Sequence, residues 1–132
     1  MSLVDLFGDK LVSKDGVVNT ADITATNVLV YFSAHWCPPC RGFTPVLADA
    51  YKASAKAGKD TIVIFVSSDR DQGGFDEYYG EMPWHALPFD NRDKKGELAQ
   101  KFNVSGIPKL VVLGGDGSLV SENGRAEYAS YL

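Results

Sequence analysis

The two cysteines of this 132-residue chain stand three positions apart, in Trp36-Cys37-Pro38-Pro39-Cys40. Thiols at that spacing can exchange with a disulfide or hold a metal. They cannot form a disulfide framework, which needs bridges that close long loops. The central prolines constrain the geometry, since each locks its φ at about −65° and disfavours the helical region for the residue before it. Cys37 and Pro38 are therefore expected to be extended, with a helix starting at Pro39. Cys37 then lies at the helix mouth and Cys40 inside the first turn, both sulfurs on one face, with only Cys37 reachable. A helix N-terminus has unpaired amides and a partial positive charge that favour thiolate over thiol, which makes Cys37 the expected nucleophile. Pro38 and Pro39 lack N–H groups, so only amides from Cys40 and Arg41 onward can contribute. The thiolate gains moderate stabilisation, and the pair is expected to be reducing rather than strongly oxidising.

The reaction that follows is dithiol–disulfide exchange: Cys37 attacks, a mixed disulfide forms, and Cys40 resolves it. The only cofactor expected is the Cys37–Cys40 redox-active disulfide itself. A zinc site would need two further ligands, and beyond carboxylates only His35 and His85 are available, so metal binding is the minor alternative. His35 is expected to be an exposed neighbour of Cys37.

The elements that must position this pair can be read from apolar patterning. Residues 27–34 form a nearly continuous apolar and β-branched run, which suits a central strand covered on both faces. Phe43, Val46, Leu47, Ala50 and Tyr51 follow at helical spacing, with Gly58 as the stop. Residues 61–68 read as a second buried strand, and the helix between the two makes a right-handed βαβ unit. Helices are expected over 71–80 and 93–102. The stretches 109–113 and 118–121 flank Gly114-Gly115-Asp116-Gly117, a turn suited to an antiparallel hairpin. The expected order is β, β, α, β, α, α, β, β with a short terminal helix. That is an α/β protein whose mixed central sheet has helices on both faces, in one domain over residues 1–132.

Composition narrows the partners. Hydrophobic residues make up 45% and charged residues 23%, and no apolar run is long enough to span a bilayer. The net charge of −4 argues against nucleic acid and against an anionic membrane surface. The N-terminus has Asp5 where a secretory signal would be basic or apolar, so a cytoplasmic location is expected.

Several segments in order resemble the thioredoxin superfamily, and within it the tryparedoxins and nucleoredoxins: Tyr31 through Pro45, Val66 through Asp71, Glu81-Met82-Pro83-Trp84, Leu87-Pro88-Phe89, and Phe102 through Pro108. The resemblance implies a thioredoxin-like fold and a thiol–disulfide oxidoreductase of the protein-disulfide reductase type. Electrons would come from a trypanothione-like dithiol or from a reductase, and pass to disulfide-containing acceptors such as peroxidases. It also implies a cis-proline at Pro108, with the Ile107 backbone free for an extended substrate, and an exposed Trp36 as a docking surface. Arg125 would face acidic ends of the substrate, Pro45 would kink the helix after Cys40, and Trp84 would support the loop beside the site. Tyr31 stands where thioredoxins place a buried aspartate that manages the resolving cysteine's proton. Asp69, with Arg70 beside it, is the expected substitute; solvent, or a plain Asp69–Arg70 ion pair, is the alternative. A different class of function is a binding module that uses the same surface and releases its partner on oxidation.

Overall fold

The computed structural model describes residues 2–132. At its centre is β3 (Asn27–Ser33), every residue of which after Asn27 is buried. It pairs in parallel with β4 (Thr61–Ser67), from Asn27 opposite Thr61 to Ser33 opposite Ser67. On its other side it pairs antiparallel with β6 (Lys109–Gly114). The complete mixed sheet has seven strands in the order β2-β1-β5-β4-β3-β6-β7. The outer strands are β1 (Lys10–Ser13), β2 (Gly16–Asn19), β5 (His85–Ala86) and β7 (Leu119–Ser121).

Strand period sorts the core into two layers. Leu29, Tyr31, Val63 and Phe65 point to the side covered by α2 (Pro38–Lys56) and α3 (Gln72–Tyr79), where they meet Leu47, Ala48, Phe75 and Tyr78. Val28, Val30, Phe32, Ile64 and Val66 point to the side of α1 (Leu3–Phe7) and α4 (Arg92–Lys101), against Leu6, Phe7, Leu98 and Phe102. Each large apolar side chain so buried contributes about 1.5–3 kcal/mol relative to exposure. With five helices on its two faces, this is the thioredoxin-like architecture read from the sequence.

The helix ends follow local chemistry. Asp71 caps α3 by accepting a hydrogen bond from Gly74 N at 2.8 Å, and Asn91 caps α4. The helix α2 begins at Pro38, one residue before the expected start, with Cys37 as its N-cap. Pro38 is thus helical rather than extended: the first turn needs no N–H donors, and a φ preset for helix suits both prolines. Pro45 lies inside α2, as expected.

Three further elements depart from the expected order. The N-terminal strand is a hairpin, β1 with β2, turning at Gly16 with φ 123°, and α1 precedes it, closed by a Ser2–Asp5 capping box. β5 is a two-residue strand joining β4 to β1. The terminal helix α5 (Gly124–Glu127) is short, as expected, and is followed by a 3₁₀ turn, Tyr128–Ser130.

The topology gathers three chain crossings at one end of the sheet. The cysteine loop leaves β3 there, Ser68 and Asp69 leave β4, and Ile107-Pro108 enters β6.

Candidate active site

Cys37 occupies the N-cap of α2 with extended backbone, φ −97° and ψ 108°. Its thiol does not cap the helix; it donates to the carbonyl of Ile107 at 3.8 Å. The Ile107-Pro108 bond is cis. Both thiols are free; Cys37 keeps 5% exposure and Cys40 none. Cys37 is therefore the reachable sulfur of the two, though more enclosed than a helix mouth alone implies. Ala34, Cys37, Cys40 and Ile107 form a small apolar cluster around them.

Burial, followed by the opposing hydrogen bond of Cys37, pushes the Cys40 thiol up to about 11. Hydrogen bonding with Ser33 and with the Ala34 backbone favours the thiolate and offsets part of that rise. Behind Cys40 lies a buried chain of hydroxyls: Ser33 Oγ is 2.7 Å from Tyr78 OH, which is 2.5 Å from Thr44 Oγ1, which is 2.7 Å from Tyr31 OH. The Cys40 carbonyl lies 3.3 Å from Tyr31 OH and 3.0 Å from Thr44 Oγ1, within reach of either hydroxyl. Burial raises both tyrosines above the ordinary phenol range, so they stand neutral.

None of the hydrogen bonds of Asp69 reaches Cys40. The aspartate is buried, accepts from His35 N at 2.7 Å through Oδ1 and from Ser67 Oγ at 2.6 Å through Oδ2, and so anchors the cysteine loop. Arg70 does not pair with it. The Arg70 guanidinium lies 5.0 Å from the Trp36 ring, whose Nε1 donates to Ser68 O at 3.0 Å. Trp36 is 47% exposed, as the resemblance implied. His35 is half-buried; it lies against Tyr78 at 5.4 Å, with Nε2 3.9 Å from Glu81. Trp84 is buried against Tyr31 and Tyr51.

Arg125 reaches the site because Gly124 lets α5 press on β6: a Cβ there would lie 2.7 Å from Leu110 O. Its Nη1 donates to Pro108 O at 3.3 Å, and its guanidinium lies 5.6 Å from the Phe43 ring. Ile107 thus lies against Cys37, with Arg125 one step away on the Pro108 carbonyl, and Trp36, Pro38 and Pro39 are the neighbours of Cys37 in its own loop. Ser33, Thr44 and Tyr78 belong to the site but were not anticipated. Their one sequence signal is the inward register of Ser33 at the end of an otherwise apolar strand. Among the described residues no group of three or more His, Cys, Asp or Glu side chains is placed to hold a metal, and no helix is long and apolar enough to cross a membrane.

Comparison with known proteins agrees with this geometry. Residues 26–119 match the family described as Thioredoxin-like. The chain is 49% identical over 116 residues to probable nucleoredoxin 1 of Arabidopsis thaliana, covering 87% of this chain but only 20% of that protein. The tryparedoxin structure from Trypanosoma brucei superposes with a TM-score of 0.89 at 40% identity, covering 98% of this chain and 92% of the other. A tryparedoxin II solved in complex with glutathionylspermidine gives 0.85 at 35% identity, covering 92% and 85%. Fold and relatives agree that the chain belongs to the thioredoxin-like family, on its tryparedoxin and nucleoredoxin branch.

Proposed function

We propose that this protein reduces protein or small-molecule disulfides by dithiol–disulfide exchange through Cys37 and Cys40, as a protein-disulfide reductase without metal or organic cofactor. The observation that carries the proposal is the inequality of the two thiols. Cys37 retains exposure beside Ile107, whereas Cys40 is sealed one turn into the helix with its proton held up to about 11.

The Cys37 thiolate attacks one sulfur of the substrate disulfide; a Cys37–substrate bond forms and the other substrate sulfur leaves as a thiolate that takes up a proton. Cys40 then gives up its proton and attacks Cys37 Sγ. The second substrate sulfur departs, and two electrons have moved from the protein to the substrate. Trp36 and the Ile107-Pro108 backbone form the docking face, and Arg125 meets acidic groups of the substrate. A donor dithiol reverses these steps on the Cys37–Cys40 disulfide.

The glutathionylspermidine in the related tryparedoxin II structure supports a trypanothione-like dithiol as donor. A reductase is the other source, supported by the likeness to nucleoredoxin. Disulfide-containing proteins such as peroxidases are the acceptors that fit this role, and the cytoplasm is the fitting compartment. The test is to offer the oxidised protein trypanothione, or thioredoxin reductase with NADPH, and follow the appearance of free thiols. Reduction by one of them is expected. Reduction by neither, where dithiothreitol succeeds, would overturn the proposed electron supply.

A further inference from the structure

The resolving step leaves one proton to place, and the hydrogen bonds of Asp69 go to His35 and Ser67 rather than to Cys40. Cys40 is fully buried; Cys37, Ser33 and the Ala34 backbone lie against its thiol, Tyr31 and Thr44 against its carbonyl, and Tyr78 bridges Ser33 and Thr44. Beyond Thr44 and Tyr78, which are 4% and 1% exposed, lies a surface cleft of about 410 Å³. Its rim carries His35, Arg41, Asp49, Lys52 and Glu81. The cleft lining includes α2 residues from Arg41 to Lys52 but none of Trp36, Ile107 and Arg125, which mark the docking face.

We propose that Ser33, Tyr78 and Thr44 carry the proton of Cys40 to this cleft, giving resolution an exit separate from the docking face. As the Cys40 sulfur bonds to Cys37 Sγ, its proton passes to Ser33 Oγ. Ser33 passes its own proton to Tyr78, Tyr78 to Thr44, and Thr44 to solvent in the cleft. Each hydroxyl gains one proton and loses one. The Cys40 electron pair makes the new S–S bond, and the substrate sulfur leaves with the pair from the broken one. Because burial keeps both phenols neutral, the chain acts as a conduit and not as a store of charge. Resolution therefore proceeds while a partner covers the docking face. This inference rests on the assignment of Cys40 as the resolving thiol.

The test separates the two steps with dithiobis-nitrobenzoate, which releases a coloured thiolate once when Cys37 attacks and again when Cys40 resolves. Tyr78→Phe keeps the ring between Phe65 and His35 and removes the hydroxyl. The first release is expected to keep its rate, and the second to slow by about tenfold or more near neutral pH. The deficit should close as pH rises towards about 11, where hydroxide takes the proton directly. Ser33→Ala should act in the same way, and Ser33→Thr should restore the second release. A second release in Tyr78→Phe with the wild-type rate and pH profile would overturn the conduit. So would equal slowing of both releases at every pH, which is the signature of a merely structural hydroxyl. Failure of the underlying assignment is distinguishable, because Cys37→Ser would then keep the first release at the wild-type rate.

Discussion

Asp69→Ala tests whether this carboxylate anchors the cysteine loop or moves its proton. The side chain is 6% exposed and accepts two hydrogen bonds, from His35 N and Ser67 Oγ. A hydrogen bond to a charged acceptor is worth about 1.5–3 kcal/mol. Losing the carboxylate also relieves its desolvation, so the net cost is expected at about 3 kcal/mol rather than the full sum. For a chain of this size that lowers the melting temperature by about 10 °C. Urea unfolding of the reduced protein measures the loss. The two-step thiolate release measures the consequence at the site: a freed His35 amide loosens the loop, so the first release by Cys37 changes several-fold. Asp69→Asn keeps an acceptor for His35 and is expected to lose about 1 kcal/mol. A loss below about 0.5 kcal/mol in Asp69→Ala with unchanged Cys37 kinetics would refute the anchoring role. Selective slowing of the second release in Asp69→Asn would return Asp69 to the relay.

Three further outcomes follow from the same geometry. Gly124→Ala places a Cβ 2.7 Å from Leu110 O and 2.8 Å from its Cγ, so α5 must shift. It is expected to cost about 2 kcal/mol in urea unfolding and to weaken, by steady-state kinetics, the use of substrates that meet Arg125. In the reduced protein at neutral pH, iodoacetamide should add rapidly to one thiol only, Cys37, because Cys40 is sealed and protonated; peptide mass mapping checks this. Burial lowers the His85 imidazole below its ordinary value of 6.5, and its Nδ1 is buried without a partner. The unfolded chain therefore binds the extra proton first. Stability is full above about pH 6.5 and falls as pH drops towards the depressed folded value, and His85→Gln should flatten that part of a stability-against-pH curve.

The elements that were plain in the sequence are those whose burial leaves a period. β3 and β4 are covered on both faces and read as unbroken apolar runs, and α2 shows its helical stripe through Phe43, Leu47 and Tyr51. β5 has two residues, of which only Ala86 is buried, too little for a pattern to register. The β1–β2 hairpin is an edge with Val17 69% exposed, and its Asp15-Gly16 turn was the one available signal. At the site, cysteine spacing and the central prolines single out the pair proposed to react, because that chemistry is local. The hydroxyls behind Cys40 come from β3, α2 and α3, and residues 33 and 78 meet only through the fold. Asp69 was correctly placed at the end of β4, but the side chain turns to the His35 amide, a preference that spacing alone does not encode.

The central assignment is division of labour between the two sulfurs, and mass spectrometry of trapped intermediates tests it most directly. With a disulfide substrate, Cys40→Ser is expected to stop turnover and to accumulate a stable mixed disulfide on Cys37, whereas Cys37→Ser forms no adduct and is inert. Sustained turnover by Cys37→Ser, or a partner that binds Cys40→Ser by redox-dependent affinity without any covalent adduct, would contradict exchange through this pair and favour a binding module instead.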